Sequence, residues 1–447
     1  MTTTSSPGSG GFLRRLFKNL GWLLGGKAAG AILSLVYLGF ATRSLGPQAF
    51  GTFALIFTYG QVVGNFAQFQ SWQLMIRFGA GHLEQNRPDR LGRLVVFGAL
   101  MDMGSAIVSA SVGFLMARTV GHFLGWSNAD SDSAAWFSLS LLFGMRATPT
   151  GLLRLFDKFD ALTFAETMTP IIRFLGAAIA FLFLPTIGAF LIVWAVSELA
   201  ASITLWCLAI RALHDRNIHP ALSWPHGATV ENPDIWRFAW LSNATSAVNA
   251  VWQQCGTLAV GRETGAAAAG GFRIAFQIAQ GMAKPALLLG RVVYPEFARQ
   301  GASTNLAATL WRSSLSAGVA GAAMIALTAL LGQWAITAIA GARYAGAAPT
   351  LLLLSIAAAI DLCGFALEPA LLALGRAGYA LIARALGALV YLACLLPGLH
   401  YWGASGAGYA AIAGSATAFS LSLLLVRHSM TSASSTDTRS VECGLAP

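Results

Sequence analysis

Apolar residues run along this chain in long blocks separated by short clusters of charge, glycine and proline. The blocks fall at about 20 to 41, 50 to 75, 94 to 117, 134 to 150, 167 to 184 and 187 to 210, then at about 236 to 260, 268 to 290, 308 to 331, 348 to 372, 379 to 398 and 405 to 427. A helix that crosses a bilayer needs roughly 20 such residues, so the pattern predicts about twelve transmembrane helices. The first block is too long for the core of a signal peptide, and no convincing small-residue cleavage site follows it, so it reads as a retained first helix. The implied organisation is a cytoplasmic segment 1–19, a six-helix lobe 20–210, a linker 211–235 containing Pro220, Pro225 and Pro233, a second six-helix lobe 236–427, and a disordered Ser/Thr-rich tail 428–447.

An internal repeat supports the two lobes. Gly46, Gly51 and Phe53 before helix 2 and Gly265, Gly270 and Phe272 before helix 8 share the spacing G-x4-G-x-F, 219 positions apart. The same offset aligns Leu153, Leu155, Ala161 and Leu162 with Leu372, Leu374, Ala380 and Leu381. Each copy has an even number of passes, so both insert the same way and their pseudo-two-fold axis runs along the membrane normal. The predicted fold class is an all-α polytopic membrane protein of two such lobes.

Polar residues inside the blocks form stripes at helical spacing. Helix 8 carries Arg273, Gln277, Gln280 and Lys284 on one face, with Arg291 further on at the membrane surface. Helix 2 carries Thr58, Gln61, Asn65 and Gln68, helix 7 carries Ser242, Ser246, Asn249 and Gln253, and helix 1 carries Lys27 and Ser34. Uncharged groups of this kind often satisfy one another between helices. Lys27, Arg273 and Lys284 ask for more, because a charge at mid-membrane costs at least about 2.5–3.5 kcal/mol. The expectation is a water-filled cationic cavity between the lobes. Four acids also lie within spans: Glu198 and Glu368 are expected to pair with arginines such as Arg173 and Arg384. Asp102, followed by Ser105 and Ser109, and Asp361 are candidates for ion coupling.

Composition narrows the class. The chain of 447 residues is 56% hydrophobic and only 10% charged, far from the roughly 25% charged residues of soluble domains. Its net charge of +10 reflects topology rather than nucleic-acid binding. Nineteen of the 28 lysines and arginines fall on the N-terminal side of the predicted helices and four on the other, which predicts cytoplasmic termini. Four of the five cysteines sit in apolar blocks, so no disulfide framework is indicated. Gly21, Gly26 and Lys27 nearly spell a phosphate-binding loop, but Ala28 lacks the hydroxyl that magnesium needs and no strand precedes it. The seven histidines lack metal-ligand spacing, and no hydrolase motif is present. Neither a metal, a cofactor nor a catalytic residue is expected.

Three features converge on a family. The basic N-terminus leading into helix 1, the stretch R-x-L-G-P-x-x-F-G-x-F from Arg43 to Phe53, and Ala373, Leu374, Gly375 and Arg376 after helix 10 resemble polysaccharide-biosynthesis flippases of the MOP superfamily. That superfamily also holds the MATE exporters and lipid II flippases. The resemblance implies two lobes around a central cavity and translocation of undecaprenyl-diphosphate-linked oligosaccharide, such as an O-antigen, lipopolysaccharide or exopolysaccharide repeat unit, across the bacterial plasma membrane. Lys27, Arg273 and Lys284 would offset the diphosphate charge, and Gln61, Asn65, Gln68, Asn249, Gln253, Gln277 and Gln280 would bond sugar hydroxyls. Expected partners are the lipid-linked glycan, membrane lipids, and the polysaccharide polymerase and chain-length machinery. Outward movement of one negative charge gains about 2.3 kcal/mol per 100 mV, so transport needs no ATP. The alternatives are a MATE-like drug or cation exporter, which a basic cavity suits poorly, and a polytopic glycan-processing enzyme such as an O-antigen ligase, which the short external loops disfavour.

Overall fold

The computed structural model describes residues 9–219, 226–282, 304–373 and 376–443. Every regular element among them is helical. In chain order these are α1 (Ser9–Ala67), α2 (Ser71–Glu84), α3 (Pro88–Phe123), α4 (Asn128–Ser138), a 3-10 turn (Leu139–Gly144), α5 (Ala147–Leu155), α6 (Phe159–Phe183), α7 (Ile187–His214), α8 (His226–Glu231) and α9 (Ile235–Thr264). They continue with α10 (266–282), α11 (Thr304–Ala340), a second 3-10 turn (Ala342–Ala347), α12 (Ala348–Cys363), α13 (Leu367–Ala373), α14 (Ala377–Trp402) and α15 (Ala404–Cys443). Seven stretches among the described residues are long and apolar enough to cross a membrane, including Pro88–Phe123, Ile187–His214 and Ala342–Leu372. The protein is an all-α polytopic membrane protein, as the apolar blocks predict.

Several predicted spans are interrupted where hydropathy alone reads a continuous helix. The block at 50 to 75 breaks after Ala67 and resumes at Ser71. The block at 134 to 150 breaks at Met145 and Arg146, and that at 348 to 372 breaks between Cys363 and Leu367. Pro149 and Pro369 stand in the first turns of α5 and α13, where a missing N–H costs no helical bond. At the other extreme, α15 continues as helix to Cys443 through the Ser/Thr-rich stretch expected to be disordered. A helix extending from an existing span needs no new nucleus, so weak formers can prolong it. Helix also begins at Ser9, within the segment that the sequence pattern reads as a tail before helix 1.

Intrachain contacts gather into two compact units. One comprises Met1–Ser44, Ala67–Met116 and Ala135–Asn243, and the other Leu45–Phe66, Ala117–Ala134 and Ala244–Pro447. The core of the first includes Leu74, Met75, Leu91, Leu94, Leu152, Leu153 and Phe156. The first turns of α9 pack onto it, with Trp236 edge-on to Phe97, Phe238 to Phe78 and Trp240 to Phe69. The core of the second includes Leu310, Ala366, Leu367 and Leu371.

The duplication read from the sequence is visible in the element boundaries. The starts of α11 through α15 lie within three positions of an offset of 219 from the starts of α3 through α7. Leu91 and Leu152 in one core correspond at that offset to Leu310 and Leu371 in the other. The G-x4-G-x-F motif has a physical role at each residue. Gly46 and Gly265 adopt positive φ, 72° and 91°, where the chain turns into the following helix. Gly51 and Gly270 face each other inside the second unit: a Cβ on Gly51 would lie 1.8 Å from the Ala266 carbonyl oxygen, and one on Gly270 3.2 Å from Gly51 Cα. Small residues permit this close approach of helix backbones. Phe53 and Phe272 are both buried.

Candidate functional site

The first unit contains a polar cavity beside two breaks in the chain. The chain leaves helical geometry at Gln68–Gln70, ahead of α2, and at Met145–Arg146, ahead of α5. Neither helix receives a side-chain cap from its own N-cap residue, Gln70 or Arg146. Asp102, buried on α3, supplies the acceptors instead. Ser71 Oγ donates to Asp102 Oδ1, the Thr148 backbone N–H donates to Asp102 Oδ2 at 2.8 Å, and Thr148 Oγ1 donates to Ser71 Oγ at 3.1 Å. The N-terminus of α5 thus finds its acceptor in Asp102, and the hydroxyl of the first residue of α2 bonds the same carboxyl group. Ser105 and Ser109, which follow Asp102 at helical spacing, do not continue this network. Their hydroxyls donate back to the Asp102 and Ser105 carbonyls of the same helix, at 3.0 and 2.6 Å.

Around this node lies a cavity of about 420 Å³, lined by Gln68, Gln70, Trp72, Asp102, Ser105, Arg146, Thr150, Arg154, Glu166 and Thr169 among others. Trp72 Nε1 donates to Gln70 Oε1 at 2.8 Å, and the Arg154 guanidinium lies 4.6 Å from the centroid of the Trp72 ring. Gln68 Nε2 reaches the Leu141 carbonyl at 3.5 Å. Arg146 pairs with Glu198 at 2.8 Å, and Arg173 pairs with the same carboxylate while donating through Nε to Ser197 Oγ at 2.9 Å. The Arg173 guanidinium also covers the Trp194 ring. The expected pairing of Glu198 with Arg173 is present, and Arg146 joins it.

The second unit holds most of the other residues marked in the sequence. Gln61 and Asn65 are half-buried on α1, and Gln277 and Gln280 are half-buried on α10. Arg273 Nη1 donates to Gln254 Oε1 at 3.4 Å, and its guanidinium lies 5.3 Å from the Phe57 ring centroid. The buried glutamine on this face of α9 is thus Gln254, while Gln253 is exposed. Arg384 donates to Asn249 Oδ1 at 3.1 Å and pairs with Glu368 at 3.4 Å, the second expected ion pair. Asp361 lies near the C-terminal end of α12. Lys284 falls outside the described residues, and Lys27 lies in α1 with its side chain outside them.

Gln68 needs a correction. Helical spacing groups it in one stripe with Gln61 and Asn65, but α1 ends at Ala67 and Gln68 turns into the cavity of the first unit. Sequence reasoning missed Ser71, Trp72, Arg154, Glu166 and Gln254. It also counts Arg146 only among the cations on the N-terminal side of the helices. The available signal is Arg146 itself, a charge inside an apolar block three residues before a proline. Among the described residues no cluster of His, Cys, Asp and Glu is arranged to hold a metal ion, and Cys207, Cys255, Cys363 and Cys394 are free thiols.

The chain is similar to several known proteins. The family profile described as "Polysaccharide biosynthesis protein" matches residues 16–300. Inner membrane protein YghQ of Escherichia coli (strain K12) is 30% identical over 336 residues, covering 75% of this chain and 95% of that protein. Among solved structures, the inward-facing conformation of a multidrug resistance MATE family transporter of the MOP superfamily aligns with a TM-score of 0.72 at 14% identity, over 91% of this chain and 96% of the other. The lipid II flippase MurJ, in an inward closed conformation, aligns with a TM-score of 0.68 at 13% identity, over 91% and 87%. Identities this low speak for the fold, which is that of the MOP superfamily. The chain belongs to the polysaccharide biosynthesis protein family, and it shares its fold with these MOP superfamily members.

Proposed function

We propose that the protein is a flippase that moves undecaprenyl-diphosphate-linked oligosaccharide across the bacterial inner membrane by alternating access. The observation that carries this reading is the hydroxyl-, amide- and guanidinium-lined cavity of the first unit, in a membrane protein of a polysaccharide biosynthesis family. In the proposed cycle the polyprenyl tail stays in lipid and the head passes through a cavity between two lobes, 20–210 and 236–427. Lys27, Arg273 and Lys284 face the diphosphate, and Gln61, Asn65, Asn249, Gln253, Gln277 and Gln280 bond the glycan. Both termini are cytoplasmic, the orientation favoured by the distribution of Lys and Arg. Membrane potential drives export of the anionic head, with Asp102 or Asp361 as sites for any coupled cation. An O-antigen or exopolysaccharide repeat unit fits as cargo, delivered to a polymerase and its chain-length partner.

Complementation tests this reading. The chain is expressed in a strain lacking its oligosaccharide flippase, beside Arg273→Ala and Arg154→Ala at matched protein levels. Surface polysaccharide restored by the wild type and reduced in both variants is the expected outcome. Restoration untouched by both substitutions contradicts the role given to Arg273 and to the cavity that Arg154 lines, and failure of the wild type across strains with different repeat units contradicts the flippase reading itself.

A further inference from the structure

We propose that the cavity of the first unit reads a sugar ring of the transported glycan and does not hold its diphosphate. The proposal rests on the flippase reading above and gives this cavity a ligand of its own. Its charge balance makes the case. The lining contributes two guanidinium groups, Arg146 and Arg154, and two carboxylates, Asp102 and Glu166, so the formal charges cancel. Arg146 is further committed to Glu198 at 2.8 Å. A diphosphate leaving water needs a surplus of positive charge to replace its hydration, and this cavity has none.

A polyhydroxylated ring makes the opposite demand. Each hydroxyl donates once and accepts twice, so it needs donors and acceptors interleaved. Glu166 accepts, Arg154 donates, and Thr169 does either. Gln70 has its carbonyl oxygen engaged by Trp72 Nε1 at 2.8 Å and so presents its NH2. The Arg154 guanidinium is held over the Trp72 ring, which limits its freedom before a ligand arrives. The volume of about 420 Å³ lies in the lower part of the usual ligand-pocket range of about 300–1,000 Å³. That suits a compact head rather than a whole repeat unit.

The duplication adds an independent argument. At an offset of 219, Asp102, Arg146, Arg154 and Glu166 correspond to Gly321, Phe365, Ala373 and Ala385. The helical frame recurs in the second copy and these charges do not. The second copy keeps its frame without them, so beyond the bonds that Asp102 and Arg146 make within the first unit they mark something specific to the first copy.

The experiment uses the purified full-length chain in detergent, with methyl glycosides of hexoses, N-acetylhexosamines and hexuronic acids as probes and inorganic pyrophosphate as competitor. Binding is read by saturation-transfer NMR and by thermal shift. Two variants accompany the wild type. Glu166→Gln removes an acceptor charge. Gly144→Ala would place a Cβ 2.6 Å from Gln68 Nε2, the far end of a flexible side chain, so it swings that amide aside with the fold retained. The expected result is saturable binding of at least one glycoside class, weakened tenfold or more in both variants, whose melting temperatures match the wild type, and unaffected by pyrophosphate. Displacement of the glycoside by pyrophosphate, equal binding in the variants, or no binding across the panel each overturns the proposal. Complementation separates the two readings. Rescue by the wild type without glycoside binding removes the sugar pocket alone, whereas glycoside binding without rescue in any strain counts against the flippase reading alone.

Discussion

Gly51→Ala is the substitution whose cost the structure defines most sharply. The new Cβ would lie 1.8 Å from the Ala266 carbonyl oxygen and 2.3 Å from its carbon, both backbone atoms of the facing helix. Ordinary contact begins near 3.4 Å, so the two helices must separate by about 1.6 Å, and no side-chain rotation can relieve the clash. Overpacking in a tightly packed interior costs about 1–3 kcal/mol, and a clash confined to backbone belongs at the upper end. Gly270→Ala meets Phe50 Cδ1 at 3.0 Å and Gly51 at 3.2 Å, which a few tenths of an ångström relieve, so its cost is smaller. Gly104 on α3 has nothing within 4 Å of the position a methyl group would take, and it serves as the control. Alanine there gains up to about 1 kcal/mol of helix propensity. Thermal unfolding of the purified chains in one detergent should rank Gly51→Ala lowest, Gly270→Ala between it and wild type, and Gly104→Ala at or above wild type. A Gly51→Ala protein that melts with the wild type would refute the close approach assigned to the repeated motif.

Three further substitutions probe the first unit. Asp102→Asn turns one acceptor oxygen into a donor facing Ser71 or Thr148, which should cost about 1–3 kcal/mol; loss of transport with an unchanged melting temperature would instead assign Asp102 to ion coupling. Glu231, at the end of α8, pairs with Arg93 and with Arg90 at 3.6 Å, so Glu231→Arg should destabilise by about 1 kcal/mol. Adding Arg93→Glu should recover part of that, and a double variant no better than the single one argues against the pair. His82, buried near the end of α2 and outside the candidate spans, has its imidazole pKa pushed down by burial, with Glu231 opposing and Arg90 and Arg87 assisting. The folded state therefore holds it neutral where the unfolded chain, titrating near pH 6.5, binds a proton. Stability should be full above about pH 6.5, fall as pH drops toward the lowered folded value, and level off below it. In His82→Gln this limb of the melting profile should flatten, and an unchanged limb points to other groups.

Much of the architecture is legible because a membrane helix advertises itself by composition. The blocks containing α3, α6, α7, α11, α14 and α15 are continuous apolar runs, and the structure keeps each as a helix. The repeat is legible for a sharper reason: Gly46 and Gly265 are needed for positive φ, and Gly51 and Gly270 for helix contact, so backbone geometry preserves the motif in both copies. The breaks before α2 and α5 are not legible, because Gln68, Gln70 and Ser71 suit a polar helical stripe as well as a turn. The cavity is lost with them. Helical periodicity groups residues of one helix, while Gln68, Asp102, Arg146 and Glu166 come from four segments that only tertiary packing joins. The ion pairs fare better, since Glu198 and Glu368 each require a cation nearby and Arg173 and Arg384 are available in neighbouring spans.

The most direct test of the account is translocation itself. The purified chain is reconstituted into liposomes carrying a fluorescent undecaprenyl-diphosphate-linked oligosaccharide, and outer-leaflet glycan is followed by its accessibility to a membrane-impermeant glycosidase, with protein-free liposomes as reference. The account predicts that the protein makes the inner-leaflet pool accessible at a rate well above the reference, accelerated by an inside-negative potential and reduced by Glu166→Gln. Accessibility that stays at the reference rate for every lipid-linked glycan tested contradicts it.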